Sequence, residues 1–364
     1  MTKIAYLGID YHLNSLSIAT MIEGEKEPSE MVHLKNDERV IRKYMNKISQ
    51  NFSIKACYEA STNGYSFQRK MTSWGYHCDV IAPSLIPRKP GNHRKNDFRD
   101  ARDLVQNYAH GMLSIVHLPS EEEESVRSLV RCRYGFKDAA KRVKHQINSF
   151  LLGQDQHWKP SKWTHQHRTW LGNLKMPNPH LQQVLEEHLA HLDYLETRLS
   201  YLDGQIEQIA ALPLYAPAVK KLRALKGIQT LTAMLLIAEI TDFRRFPTPR
   251  ALMAFLGLIP SEDSSGDKRK DGGITKAGNP RCRTALIEAV QHYVKTPHIS
   301  RLKSALSQVD ATTATIAVKC VNRLHKRFWA LTLKGKLRPV AITAIARELV
   351  GFIWALMQTQ PAIT

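Results

Sequence analysis

The segment HRKNDFRDARDLVQ, residues 93–106, spaces three aspartates at intervals of three: Asp97, Asp100 and Asp103. Residues three or four apart share one face of a helix, so Asp97 and Asp100 would present two carboxylates side by side. Two further acids close strand-like runs, Asp10 in LGID and Glu59 in KACYE. Carboxylates crowded together repel unless a cation neutralises them. Four of them could hold two divalent ions that polarise a phosphodiester and activate an attacking oxygen. The competing explanation is charge balance, with Asp97 and Asp100 paired to Arg94, Lys95 or Arg99 and the strand-end acids solvated. Spacing alone admits both.

A second group of residues with chemical potential lies far downstream. SEDSSGDKRKDGGITKAGN sets Ser264 and Ser265 before a glycine, among Lys268, Arg269, Lys270 and Lys276, with Arg281 just beyond. A serine hydroxyl becomes a nucleophile only when its proton is accepted and the charge on its target is neutralised. A serine–glycine turn in a basic loop also binds phosphate backbone without chemistry. The spacing does not separate the two.

The elements that must position the acids are legible. KIAYLGID and SLSIATMI read as two short strands turning at Asn14-Ser15, and MVHLK as a third. A helix over ERVIRKYMNKI, a buried strand SIKACYEA, a helix near SFQRKMTSW and a strand YHCDVIAP follow. Three antiparallel-type strands and then a helix–strand–helix–strand–helix order make an α/β domain. Beyond it the pattern is helical. Leu181, Leu185, Leu192, Leu195, Leu199, Leu202, Ile206 and Ile209 alternate at three and four, broken only by His188. That stripe predicts a coiled coil, joining subunits or packing a long helix onto its own domain. LRALKGIQTLTAMLLIAEI then gives two helices hinged at Gly227, Pro260 to Pro280 reads as a basic loop between helices, and AITAIARELVGFIWALM as a closing amphipathic helix.

Charge narrows the partner. The 364 residues carry 52 Lys and Arg against 33 Asp and Glu, a formal +19, with 43% apolar content. Such an excess points to a polyanion, above all nucleic acid, because each neutralised phosphate releases counterions. The longest apolar runs are about half of a membrane span, which argues against a membrane role. Five scattered cysteines without a CxxC pair, and an N-terminus that enters a strand directly, fit a reducing cytoplasm and argue against a zinc site. HWKPSKWTHQH interleaves histidine with tryptophan and lysine in a loop-like setting, better suited to surface or nucleic-acid contacts than to metal.

The set GID with Asp10, YEAS with Glu59, KNDFRDA with Asp97 and Asp100, and GIQTLTA…FLGLIPSEDSSGDKRKDGGITKAGN resembles the DEDD-type insertion-sequence transposases of the IS110 group, which include the Piv-like DNA invertases. The resemblance runs from about residue 4 to residue 357. It implies a RuvC-like domain of the RNase-H-like α/β class over residues 1–117, a helical coiled-coil and oligomerisation segment over 118–212, and a mostly α transposase domain with a serine loop over 213–364. It makes Asp10, Glu59, Asp97 and Asp100 a tetrad for Mg2+ or Mn2+, leaves Asp103 outside it, and matches Ser265 to a DNA-attacking serine, with Ser264 its competitor. It further implies donor and target DNA as substrates, a bridge RNA as guide, a dimer or tetramer, and a nucleoid-associated bacterial protein in the cytoplasm. Arg94, Lys95, Arg99, Lys268, Arg269, Lys270, Lys276 and Arg281 become phosphate contacts. An invertase, or a RuvC-like structure-selective nuclease using water in place of serine, are the alternatives. KNDFRDA departs from the group's pattern at Asn96 and Phe98, and GIQ stands for GIG at Gln229.

Overall fold

Three strands make a meander over the first 35 positions: β1 (Ile4–Tyr11), with a buried centre, β2 (Ser15–Ile22), buried from Leu16 to Met21, and β3 (Glu30–Lys35), whose residues alternate between half-buried and exposed. The computed structural model describes residues 2–87, 97–265 and 268–358; at Asp97, 262–265, 268–271 and Arg301 it describes the backbone alone. The chain divides into two units, Met1–Leu118 and Pro119–Thr364.

In the first unit, α1 (Glu38–Ser49) starts at Asp37, whose carboxylate accepts the amides of Arg39 and Val40. β4 (Ser53–Glu59), α2 (Ser66–Ser73), β5 (His77–Ile81) and α3 (Asp97–Ala109) follow. The sheet has the order β3-β2-β1-β4-β5. β1, β2 and β3 pair antiparallel, while β4 and β5 run parallel to β1. One face carries Leu7, Ile9, Ile54 and Tyr58 against Ile41, Met45, Phe67 and Met71 of α1 and α2. The other face takes α3, through Ala19, Met21, Ala101 and Val105 beside Cys57, Ile81 and Leu104.

The second unit begins with α4 (Glu121–Gly153), whose capping box joins Ser120 to Glu123 and whose first turn is four glutamates facing the helix dipole. It is followed by α5 (His165–Asn173) and α6 (Pro179–Ala210). The heptad stripe on α6 is filled by the same chain. Leu185, Leu192 and Leu195 pack with Ala140, Val143, Ile147 and Leu151 of α4, while Ile206 and Ala210 reach Val126 and Val130. The two helices are therefore antiparallel, and Arg133–Asp203 and Lys144–Glu196 ion pairs fix their register. The stripe thus packs a long helix onto its own unit, one of the two roles its spacing allowed. His188 lies against the Phe150 ring, a polar residue tolerated in the seam.

Then come α7 (Ala216–Arg223), α8 (Thr230–Ile240), α9 (Pro249–Phe255), a hairpin of β6 (Pro260–Ser265) and β7 (Lys268–Ile274), α10 (Pro280–Val290), α11 (Lys303–Leu306), α12 (Ala311–Leu333) and α13 (Arg338–Met357). α8 is buried almost throughout. Its Glu239 meets Arg131 of α4 in a two-pronged pair at 2.7 Å for each bond. Gly227 has φ of +86°, and a β-carbon there would collide with the Ala289 carbonyl of α10, so the hinge needs glycine twice over. α13 is longer than the closing apolar run suggested. By length and composition it could cross a membrane, but half of that stretch is buried, with Ile345, Leu349 and Ile353 in the core of this unit.

Candidate functional site

The sheet register gathers the strand-end acids into one row. Ile9 pairs with Tyr58 across the parallel β1–β4 ladder, so the next residues, Asp10 and Glu59, are neighbours. On the other side Asp10 pairs with Ser17, and Ser17 pairs with His33. Successive side chains alternate between faces. Gly8 and Cys57 face α3, so Asp10 and Glu59, two residues on, face the same way. Ser17 Oγ lies 3.1 Å from His33 Nδ1, and Asp10 Oδ2 lies 3.1 Å from His12 Nε2.

Helix α3 crosses this row with its first turn. Tyr108 packs edge-on to Tyr6, Ala101 and Val105 straddle Gly8, and Phe98 lies 6.2 Å from the His33 ring. Moving along β1 from Tyr6 to Asp10 thus moves α3 from Tyr108 back toward residue 98. Asp100, four residues before Leu104, continues the stripe of Ala101, Leu104, Val105 and Tyr108 that faces the sheet. Asp100 is half-buried, as is Asp103, which lies off the stripe. The side chain of Asp97 lies outside the described residues, and so do Arg94 and Lys95 entirely. Arg99 is exposed.

Gly8 is the residue the sequence reading passed over. A β-carbon on it would lie 2.5 Å from the Ala101 carbonyl oxygen and 2.6 Å from the Val105 nitrogen. Only glycine lets the α3 backbone come this close to β1. Ser17 and His33 were also missed, because only strand pairing brings them to the row, and Phe98, because only the packing of α3 brings it beside His33. Carboxylate oxygens from two strand ends and a facing helix turn are the hard donor set that suits Mg2+ or Mn2+. Among the described residues no three His, Cys, Asp or Glu side chains converge on one point. Deeper on the same face, burial and its hydrogen bond to Asp79 push the Tyr108 hydroxyl well above its ordinary range, so it stays a donor, 2.6 Å from Asp79 Oδ2.

The serines belong to a strand pair rather than to the loop the sequence suggested. Ser264 pairs with Arg269 and Ser265 with Lys268, at the far end of the β6–β7 hairpin. The Gly266-Asp267 pair between two short runs is the sequence signal that could have revealed it. The side chains of Ser264, Ser265, Lys268, Arg269 and Lys270 lie outside the described residues. The base of the hairpin is described in full. Gly257 and Gly278 both have positive φ, and a β-carbon on either would strike backbone across the base, at Ala277 and Phe255 respectively. Arg283 donates to the carbonyls of Leu256, Ala277 and Gly278. Asn279 caps α10 through the amides of Arg281 and Cys282, and Pro280 opens the helix. Thus GGITKAGN clamps the serine-bearing hairpin to α10. Lys276 is exposed, with φ of +56°, and Arg281 reaches Asp138 of α4 at 3.9 Å.

Comparison with known proteins follows the same residues. The family model described as Transposase IS116/IS110/IS902 family matches residues 219–304, the span of the hinge, hairpin and α10. The chain is similar to the transposase-named protein y4qE of Sinorhizobium fredii, 35% identical over 356 residues, covering 97% of this chain and 88% of that one. It is also similar to the transposase for insertion sequence element IS1533 of Leptospira borgpetersenii, 30% identical over 342 residues, covering 92% and 99%. The transposase for insertion sequence element IS1111A of Coxiella burnetii is 24% identical over 287 residues, covering 75% and 76%.

Proposed function

This chain belongs to the transposase IS116/IS110/IS902 family, and from that premise we propose that it cuts and rejoins DNA for an insertion sequence with an acidic site in one unit and a serine in the other. The observation that carries this reading is the row of Asp10 and Glu59 beneath the first turn of α3. The sheet order β3-β2-β1-β4-β5, with three antiparallel strands and two parallel ones, supports a RuvC-like, RNase-H-like identity for the N-terminal unit.

Asp10, Glu59, Asp97 and Asp100 would hold Mg2+ or Mn2+, and ions bound there supply Lewis-acid polarisation of a phosphodiester. The hydroxyl of Ser265, or of Ser264 beside it, attacks phosphorus. The Oγ–P bond forms as the P–O3′ bond breaks, and the 3′ oxygen leaves as a hydroxyl, its proton balancing the one the serine gives up. Arg94, Lys95 and Arg99 contact phosphates near the acids, and Lys268, Arg269, Lys270, Lys276 and Arg281 contact them near the serines. A guide RNA that pairs with donor and target DNA is part of this reading, supported by the formal +19. So is assembly as a dimer or tetramer, through surfaces other than the α6 stripe.

The test is excision in cells. The chain is supplied in trans to a plasmid carrying its element with both flanks intact, and the rejoined donor junction is amplified. Wild type gives the junction; Asp100→Asn and Ser265→Ala abolish it, and Asp103→Asn does not. Junctions formed equally by Asp100→Asn would overturn the reading.

A further inference from the structure

At the end of the α4–α6 pair, the segment HWKPSKWTHQH is a largely exposed loop whose two tryptophans flank the buried His167 in the first turn of α5. His167 is 1% exposed, stacked on Trp170 at 5.7 Å and flanked by Trp158 at 5.4 Å and Trp163 at 5.1 Å. Trp158 and Trp170 are 5.3 Å apart. Beside them opens a cavity of about 290 Å3, whose wall includes Asn148, Gln156, Lys159 and Lys162 as well as His167 and both of these tryptophans. That volume lies at the lower edge of small-molecule sites, roughly 300–1,000 Å3. It suits one heterocycle.

The histidine defines what the cavity lacks. The Trp163 backbone N–H donates to His167 Nδ1 at 3.0 Å, so Nδ1 must carry its lone pair and the ring proton sits on Nε2. That Nε2–H is buried and has no hydrogen-bond partner. Burial, with Lys162 and Arg168 nearby, lowers the histidine's pKa and keeps it neutral. A buried donor without an acceptor is costly, and native proteins seldom leave one unmet. The site therefore offers flat aromatic faces, one fixed donor, the amide edges of Asn148 and Gln156, and two exposed lysines at its mouth. An aromatic ring bearing carbonyl or ring-nitrogen acceptors, attached to an anion, satisfies all four.

We propose that this cavity takes one unpaired nucleobase of a single-stranded nucleic acid, stacked against Trp158 and Trp170, accepting from His167 Nε2, with its phosphate on Lys159 and Lys162. Aromatic stacking is tolerant of base identity, so the site would grip a strand wherever a base is free. The inference rests on the reading that this chain works on nucleic acid, but it assigns a site far in sequence from both the acids and the serines.

The experiment titrates the full chain with short single-stranded oligonucleotides, DNA and RNA versions in parallel, against the same strands made abasic, following anisotropy and tryptophan emission. Expected is quenching by base-containing strands only, about tenfold weaker binding for Trp158→Ala, a few-fold loss for His167→Phe, and a shallower salt dependence for the Lys159→Gln, Lys162→Gln pair. The tighter of the DNA and RNA strands identifies the source. Equal affinity for abasic and base-containing strands, or wild-type affinity in Trp158→Ala, would overturn the proposal and leave an aromatic core in its place. Duplex DNA binding, measured in the same variants, separates this from the wider reading. If wild type ignores duplex DNA the transposase reading suffers, whereas the pocket stands or falls on the single-strand data.

Discussion

Replacing Gly8 by alanine puts a methyl group in place of a hydrogen where the α3 backbone comes against β1. The new carbon would lie 2.5 Å from Ala101 O, 2.6 Å from Val105 N and 2.9 Å from Val105 Cβ, where ordinary contact begins at 3.4 Å. To reach that distance α3 must lift by about 0.9 Å (3.4 minus 2.5). The atoms it meets are helix backbone, so no side-chain rotation relieves the clash. Overpacking of this kind costs about 1–3 kcal/mol, which lowers stability without unfolding a well-packed domain. Its larger effect falls on the site. Asp100 precedes Ala101 on the same turn and moves with it, away from Asp10 and Glu59. A misplacement of about 1 Å can reduce a rate on the order of a hundredfold. The assay is Mg2+-dependent cleavage or excision alongside urea unfolding, at a temperature where the variant is folded by circular dichroism. Gly204→Ala serves as control, since a β-carbon there meets nothing within 4 Å. A folded Gly8→Ala protein with wild-type activity would refute the argument that α3 brings carboxylates to this row.

Four further outcomes are expected. Gly204→Ala itself should stabilise α6 by about 0.5–1 kcal/mol in urea unfolding, because alanine gives up less entropy in a helix. Arg131→Met strands the Glu239 carboxylate, whose side chain is 4% exposed. It should cost about 2–4 kcal/mol in the same measurement, somewhat below a fully enclosed pair because Arg131 itself is half in water. Gly227→Ala should lower the yield of folded protein, since alanine meets both a positive φ and the Ala289 carbonyl; proteolysis of the second unit reads this out. His167 has a folded pKa below its ordinary 6.5, so protonation favours the unfolded chain. Stability is full above that value and falls as the pH drops below it, and His167→Phe should flatten this slope in thermal unfolding between pH 7 and pH 5.

How much of this was legible in the sequence depends on whether the deciding contact is local. The first unit read well because its strands are apolar runs bounded by marked turns; Asn14-Ser15 lies between β1 and the buried run Leu16–Met21 of β2. Which strands neighbour one another is not local, and Ser17 and His33 entered the row only through pairing. The leucine stripe on α6 was plain, but its partner was not, because the apolar positions of α4 are interleaved with Arg127, Arg131, Arg133 and Lys144. The hairpin at 260–274 was read as a loop since Gly272, Gly273 and a run of charges hide its alternation. The HWKPSKWTHQH segment is exposed at eight of its eleven positions, as a solvated loop should be; what was not legible is the burial of His167 among Trp158, Trp163 and Trp170, which the packing of α4, α5 and α6 brings about.

The most direct test of the central claim is the covalent link between serine and DNA. The purified chain is incubated with donor and target DNA, guide RNA and Mg2+, quenched in denaturant, and the protein–DNA adduct is digested and mapped by mass spectrometry. The account predicts a nucleotide on the peptide containing Ser264 and Ser265, absent in Ser265→Ala and in Asp100→Asn. Efficient strand cleavage with no adduct would contradict it and point to water as the nucleophile.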